Sequence, residues 1–264
     1  MSNSKRVVAA VVVFGAAFGN GSASAADLAA RPYIKAPAYA APPVSWTGCY
    51  VGGNVGGGWD RFNAGQLAFA GVPTPFIDYG SNRGSSIVGG GQIGCDYQFA
   101  GNWIVGIQGQ ADFGNIHSSN EVAAFPGITA DFKLKNIETL TGRVGYAVTP
   151  AVLAYVKGGA AWANASAAAV IPNGLIGESA GFTKAGYTIG GGLEWMFAPG
   201  WSLFGEYNYL NFGTKSVDFT STGIPGFGAA GTLSDTAAIK LTTQTAIVGV
   251  NYKFNWANAV GARY

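Results

Sequence analysis

The sequence contains few charged residues. Only 11% of its 264 residues are Asp, Glu, Lys or Arg, against about 25% in typical soluble domains, so a solvated globular fold is disfavoured. The 15 basic and 13 acidic residues give a formal net charge of +2, and the basic residues do not form a run. We therefore expect no nucleic-acid partner.

Histidine and cysteine are also scarce. A single histidine, His117, and two cysteines, Cys49 and Cys95, offer no ligand cluster for a metal. Two serines follow His117, but neighbouring residues of one loop do not provide the geometry of a Ser–His hydrolase. Positions 89–94 match G-x-G-x-x-G, yet a period-two pattern continues where a dinucleotide site requires a helix. We expect neither an enzyme nor a cofactor.

Long apolar runs are absent except near the N-terminus. The run at 7–19 follows Lys5 and Arg6 and is shorter than the ~20 residues of a spanning helix, which makes a membrane anchor the weaker interpretation. Small residues follow, up to Ala25, so positions 1–25 predict a signal peptide cleaved between Ala25 and Ala26. Positions 26–45 are rich in Ala and Pro and predict an extended periplasmic linker.

Glycine and aromatic residues are abundant. The 42 glycines disfavour long helices, because each interior Gly costs roughly 1 kcal/mol relative to Ala. Between Ser85 and Phe113, large apolar side chains alternate with glycines and amides such as Gln92 and Gln108. This alternation predicts two strands. A polar face of glycines and amides, without Lys or Glu, is typical of a membrane β-barrel strand, with lipid outside and a crowded lumen inside.

Eight segments of this kind follow the linker. The predicted strands are 46–59, 85–97, 102–114, 132–148, 151–163, 181–197, 200–212 and 238–254, and the long gaps between them are 60–84, 115–131, 164–180 and 213–237. Short periplasmic turns that alternate with long outer loops are the pattern of outer-membrane barrels. The sequence therefore predicts an all-β fold: an eight-stranded antiparallel up-and-down transmembrane β-barrel at 46–254, with a C-terminal extension at 255–264.

Several of these segments resemble a known family. WTGCYVGGNVGGGW, SSIVGGGQIGCDYQF, NWIVGIQGQADF, GYTIGGGLEW and the final VGVNYKF resemble the alphaproteobacterial "porin family" of major outer-membrane antigens, which are OmpA-like eight-stranded barrels. The resemblance covers the chain after the signal peptide. It implies a place in the outer membrane of a Gram-negative bacterium, contact with outer-membrane lipid and lipopolysaccharide, and insertion by the outer-membrane assembly machinery. That machinery reads a terminal aromatic residue, for which Phe254 is the candidate and Tyr264 the alternative.

Charged residues on the predicted inward face occur in pairs. Arg143 and Lys157 are equally far from the second short turn, and Glu194 and Glu206 from the third, so each pair is expected side by side. Neighbouring like charges in a low dielectric require opposite charges nearby, and an eight-stranded lumen is narrow enough for the pairs to meet. We expect an ionic cluster that fills the lumen, with Gln108 on the same face. A small pore gated by this cluster is the alternative.

The two cysteines lie near the periplasmic ends of the first two strands. If Val51 is opposite Ile93, apolar residues face apolar residues along the hairpin and Cys49 is opposite Cys95. Directly opposed Cα atoms are ~4.5–5.5 Å apart, within reach of a disulfide, and the exported location is oxidising. We expect the bond to form; two free thiols packed as small apolar groups are the alternative.

The leading functional hypothesis is a structural and surface protein of the outer membrane. Its lumen is filled, and its four outer loops contribute to envelope integrity and contact host or surface ligands. The second hypothesis is a narrow passive channel for small solutes. The loops carry phenylalanines that could serve adhesion or capture of an apolar ligand, at Phe69, Phe76, Phe125, Phe219 and Phe227. The sequence does not specify an oligomeric state.

Overall fold

The structure, a computed structural model, describes residues 45–254. The predicted signal peptide with its Ala25–Ala26 cleavage site, the linker as far as residue 44 and the extension 255–264 lie outside the described residues. Within the described part of the chain, no helix is long and apolar enough to cross a membrane.

The described residues form a closed barrel of eight antiparallel strands in sequential order, with β1 also paired to β8. This confirms the predicted all-β up-and-down barrel. The strands are β1 (Gly48–Phe69), β2 (Val72–Phe99), β3 (Trp103–Glu121), β4 (Thr129–Thr149), β5 (Val152–Val170), β6 (Ile176–Ala198), β7 (Trp201–Ser221) and β8 (Leu233–Phe254).

The two ends of the barrel differ in their connections. The end that carries the turns 100–102, 150–151 and 199–200, together with the first residue of β1 and the last of β8, is called the periplasmic end here. The opposite, extracellular end carries 70–71, 122–128, 171–175 and 222–232. The prediction of four long outer loops was therefore wrong, because most of their residues extend the strands. Phe69, Phe76 and Phe219 lie on strands, and only Phe125 and Phe227 lie in connections.

An apolar band surrounds the periplasmic half of the barrel. Its outward side chains include Val51, Val55, Ile93, Val105, Ile107, Val144, Ile189, Leu193, Leu203, Val248 and Val250, all exposed on the outer surface. Exposed aromatic residues border this band on the periplasmic side at Tyr97, Trp103, Tyr146, Phe197, Trp201 and Phe254, and on the extracellular side at Trp59, Phe113, Trp162, Tyr187 and Tyr207. An apolar band between two aromatic girdles is the outer face of a membrane-spanning barrel.

The strands continue well beyond the aromatic girdle on the extracellular side. In that region the outward face of the sheet is polar and the inward face is apolar. Outward positions become polar and exposed, as at Arg61, Arg83, His117, Lys133, Lys135 and Lys240. Inward positions become apolar and form a buried cluster that includes Phe62, Ile116, Phe132, Leu134, Ile239 and Leu241. This extracellular extension therefore has water outside and a hydrophobic core inside. The membrane-spanning half has the reverse arrangement, with buried amides and charges in its lumen.

Candidate functional site

The lumen of the membrane-spanning half contains the charged cluster that the sequence predicted, with a different set of partners. Arg143 and Lys157 are directly opposite each other on β4 and β5, as expected. The corresponding prediction for Glu194 and Glu206 was wrong. Glu194 is opposite Phe204, and Glu206 is opposite Gly192, because an irregularity between Met196 and Ala198 shifts the register of β6 against β7.

Arg143 lies at the centre of the cluster. Its guanidinium donates to both carboxylate oxygens of Asp96, with an Nε–Oδ1 distance of 2.7 Å, and its Nη1 lies 3.3 Å from Oε2 of Glu194. The guanidinium carbon is also 4.7 Å from the ring centroid of Tyr50 and 5.0 Å from that of Tyr155. Two carboxylates and two aromatic faces thus enclose this cation, an arrangement that suits the planar guanidinium.

Lys157 forms the second ion pair. Its Nζ is 2.6 Å from Oε1 of Glu206 and donates to Oε1 of Gln110 at 3.0 Å. Glu206 also accepts from the hydroxyl of Tyr155 at 2.9 Å and from Nδ2 of Asn208 at 2.8 Å. The Glu206 carboxylate is therefore held by two hydrogen-bond donors as well as by the charge of Lys157, as buried ions require.

The structure adds two charged residues that the predicted cluster did not include. These residues are Asp96 and Lys253. Lys253 Nζ lies 2.7 Å from Oδ2 of Asp96, so the Asp96 carboxylate balances part of the positive charge of both Arg143 and Lys253. The ion pairs then join three cations, Arg143, Lys157 and Lys253, to three carboxylates, Asp96, Glu194 and Glu206. The sequence signal for the two additional residues was present, because both occupy inward positions of the period-two pattern in a chain with few charges.

Uncharged side chains complete the network. Glu194 accepts hydrogen bonds from Oγ of Ser202 at 2.5 Å and from Nδ2 of Asn251 at 3.0 Å. Gln108, the predicted companion of the charges, is buried, accepts from the Tyr50 hydroxyl at 3.1 Å and donates to Gln110. The cluster is therefore connected across the lumen through amides and hydroxyls as well as ion pairs.

Trp46 closes the periplasmic end. The sequence pattern predicted it in the first strand, but Trp46 precedes β1 and is only 1% exposed. Its indole Nε1 donates to the Pro150 carbonyl oxygen at 3.2 Å, and its own carbonyl oxygen accepts from Lys253 Nζ at 2.8 Å. Its backbone N–H donates to Oε1 of Gln98 at 2.9 Å. These contacts fix the ring beneath the ionic cluster as a cap.

The cysteines occupy the expected positions. β1 and β2 pair in the predicted register, with Val51 opposite Ile93 and Cys49 opposite Cys95. The two sulfur atoms are bonded in the structure, at a distance of 2.07 Å. Phe254 is opposite Cys49 on the other edge of β1 and is exposed, so the aromatic residue proposed as the assembly signal lies at the rim where the barrel closes.

The single histidine lies on a strand, although a loop was expected. His117 is on β3, its side chain is 45% exposed, and its Nε2 is 3.6 Å from Oδ1 of Asp131. Among residues 45–254, no group of three or more His, Cys, Asp or Glu side chains is arranged to hold a metal ion.

This chain is similar to two outer-membrane immunogenic proteins of Brucella. It is 27% identical over 240 residues to a 31 kDa outer-membrane immunogenic protein of Brucella melitensis, covering 88% of this chain and 94% of that one. It is 28% identical over 236 residues to a 25 kDa outer-membrane immunogenic protein of Brucella canis, covering 88% and 91%. Among solved structures, the outer membrane protein OprG from Pseudomonas aeruginosa matches with a TM-score of 0.48 and 12% identity, covering 79% of this chain and 97% of that chain.

A family model covers most of the chain. The model of the outer membrane protein beta-barrel domain family matches residues 16–254, which include the whole barrel of eight strands with its apolar outer band. The chain therefore belongs to the outer membrane protein beta-barrel domain family and is a protein of the bacterial outer membrane.

Proposed function

We propose that the protein is a structural and surface component of the outer membrane with a closed lumen. The observation that carries this proposal is the position of the ionic cluster. Every charged member is at most 5% exposed. The members come from six of the eight strands, β2 and β4 to β8, and Trp46 lies beneath them. A solute that crossed the lumen would have to separate buried ion pairs, and a buried charge without its partner is strongly unfavourable.

The surface part of the proposal depends on the extracellular extension. Its outward face is polar, and its strands continue beyond the membrane band, so the protein presents a rigid sheet to the medium. The Brucella relatives are outer-membrane immunogenic proteins, which supports exposure of the equivalent part of this chain. We propose that this surface meets lipopolysaccharide and external ligands, and that the assembly machinery inserts the barrel through its Phe254 rim.

Single-channel recording on the full chain, refolded into planar bilayers, tests the closed lumen. We expect no stable current steps. A matched variant, Lys157→Met with Glu206→Gln, removes one ion pair but keeps the side-chain volume, so it should also remain closed. Stable steps from the unmodified protein would support the narrow passive channel, and steps from the variant alone would support a gate made of charges; either result contradicts the proposal.

A further inference from the structure

The extracellular extension contains a cavity that has no part in the proposed closure of the lumen. Its volume is about 620 Å³, within the range of roughly 300–1,000 Å³ typical of small-molecule sites. The cavity ends on the buried hydrophobic cluster: Phe62 lines it and stacks on Phe132 with ring centroids 4.2 Å apart. It is therefore a dead-ended chamber, separated from the ionic cluster by packed apolar side chains.

The lining is apolar on most sides. Phenylalanines and alanines of the strands form its walls, including Phe69, Ala167, Phe219 and Ala237. The extracellular connections contribute Phe125 from 122–128 and Phe227 from 222–232. Such a surface favours the flat or branched hydrocarbon part of a ligand, since its burial removes apolar area from water.

Two carboxylates interrupt this apolar lining. Glu178 on β6 and Asp235 on β8 both line the cavity and are 6% and 2% exposed. Among residues 45–254, no donor reaches Oε2 of Glu178 or Oδ1 of Asp235 with hydrogen-bond geometry, although the Ser234 side chain lies near Glu178 and the Gln66 side chain near Asp235. The second oxygen of Asp235, Oδ2, accepts from the Tyr79 hydroxyl at 2.7 Å. Buried carboxylate oxygens normally have donors, so these two mark a position where a ligand can supply them.

The cavity carries no opposite charge. Of the described residues that line it, none is Lys, Arg or His. A third acid, Asp131, contributes to the lining, but its carboxylate lies beside His117 on β3, 3.6 Å from Nε2. The local charge balance therefore favours a cation and opposes an anion.

We propose that this cavity binds a small organic cation that has an apolar body and one protonated amine or amidine. The body lies among the phenylalanine and alanine side chains, and the cationic group donates to the free oxygens of Glu178 and Asp235. Charge-assisted hydrogen bonds of this kind are about twice as strong as neutral ones. The inference goes beyond the proposed function and is tested separately from it, because ligand binding in the extension and conductance through the bilayer are different measurements.

The protonation of the acids predicts how such binding depends on pH. All three acids lie above the membrane band. Burial raises the pKa of Glu178 to about 7, and the neighbouring Asp235 carboxylate adds to the rise. Burial also raises the pKa of Asp235, against a hydrogen bond from Tyr79 that lowers it. Glu178 is therefore neutral below pH 7 and ionised above it, so the affinity for a cation should increase as the pH rises through about 7.

Three probes with one ring system test the charge preference. They are 1-naphthylmethylamine, which is a cation at neutral pH, 1-naphthalenemethanol, which is neutral, and 1-naphthoate, an anion. Calorimetric titration of the full chain in lipid nanodiscs, with protein-free nanodiscs subtracted, should show at pH 8 that the amine binds about tenfold more tightly than the alcohol, and that the carboxylate does not bind. At pH 6 the preference for the amine should shrink.

Two variants locate the site. Glu178→Gln combined with Asp235→Asn keeps side-chain shape and should weaken amine binding to the level of the alcohol, whereas the exposed control Asp218→Asn should change nothing. Ala167→Phe, which fills the cavity, should remove binding of amine and alcohol alike. Equal affinity for all three probes, binding no greater than to empty nanodiscs, or an unchanged amine affinity in the double variant would each overturn the proposal.

Discussion

Replacing Asp96 with Asn tests the ionic cluster most directly. Asp96 contacts two cations, Arg143 and Lys253, and its side chain is fully buried at 0% exposure. The change removes one negative charge, keeps the size and shape of the side chain, and leaves three buried cations facing two carboxylates. Its new amide group also points N–H donors at cationic donors. Since removing one partner of a buried ion pair costs about 3–5 kcal/mol, we expect the free energy of unfolding to fall by about 3 kcal/mol, the lower end, because Asn retains one acceptor oxygen.

A second substitution shows whether the loss comes from charge. Lys253→Met combined with Asp96→Asn restores electrical balance, since Arg143 keeps Glu194 and Lys157 keeps Glu206. The double variant should recover at least about 1 kcal/mol relative to the sum of the two single changes, as contacting residues do.

The assay is urea unfolding of the full chain in lipid bilayers, followed by tryptophan fluorescence. Asp78→Asn is the matched control, because Asp78 is exposed and its Oδ1 accepts from the Gly80 N–H at 2.8 Å, a bond that Asn can also make. The reasoning would be refuted if Asp96→Asn cost no more than this control, or if the effects of the two cluster substitutions were strictly additive.

Three further predictions concern the barrel itself. Val105→Arg places a cation in the apolar band and should lower the free energy of unfolding by ~2–4 kcal/mol in the same urea titration. Ser119→Arg, on the polar outer face of the extension, should change it by less than about 0.5 kcal/mol. Equal effects would contradict the placement of Val105 against lipid. Gly56→Ala would drive its Cβ into the β8 backbone and should cost about 1–3 kcal/mol, whereas Gly205, with nothing within 4 Å, should tolerate Ala. Cys49 and Cys95 are 46 residues apart, and replacing both with Ser should lower the free energy of unfolding by up to about 4 kcal/mol. Mass spectrometry of the alkylated, non-reduced protein checks the bond itself: labelling of both thiols would show that it is absent.

The period-two pattern predicted the membrane-spanning part of each strand but not its extracellular extension. In β3, the outward residues Val105 and Ile107 are apolar, and the sequence shows this clearly. Beyond the predicted end of this strand at residue 114, the apolar residue is the inward Ile116, while the outward His117 is polar. The backbone alternation is unbroken, but the surrounding solvent changes from lipid to water. A rule that assumes apolar residues outside therefore ends the strand too early.

The composition of the charged cluster was predictable in part. Arg143, Lys157, Glu194 and Glu206 follow from alternation alone, because period two decides which side chains point inward. Which charges meet depends on register, and the irregularity between Met196 and Ala198 has no counterpart in the hydrophobic pattern. The contacts among these residues cross the lumen between strands that are distant in sequence, and only the closed barrel determines them.

The exchange of faces along the strands has a thermodynamic consequence. Opening the extracellular extension exposes apolar side chains such as Phe132 and Leu134 to water, which raises the heat capacity. Opening the membrane-spanning half exposes amides and charges instead, while its outer face remains in hydrocarbon. Because hydrophobic stabilisation weakens on cooling, the extension loses stability at low temperature as a soluble domain does. One continuous hydrogen-bonded sheet thus joins a cold-sensitive part in water to a part in lipid whose stability has a different temperature dependence.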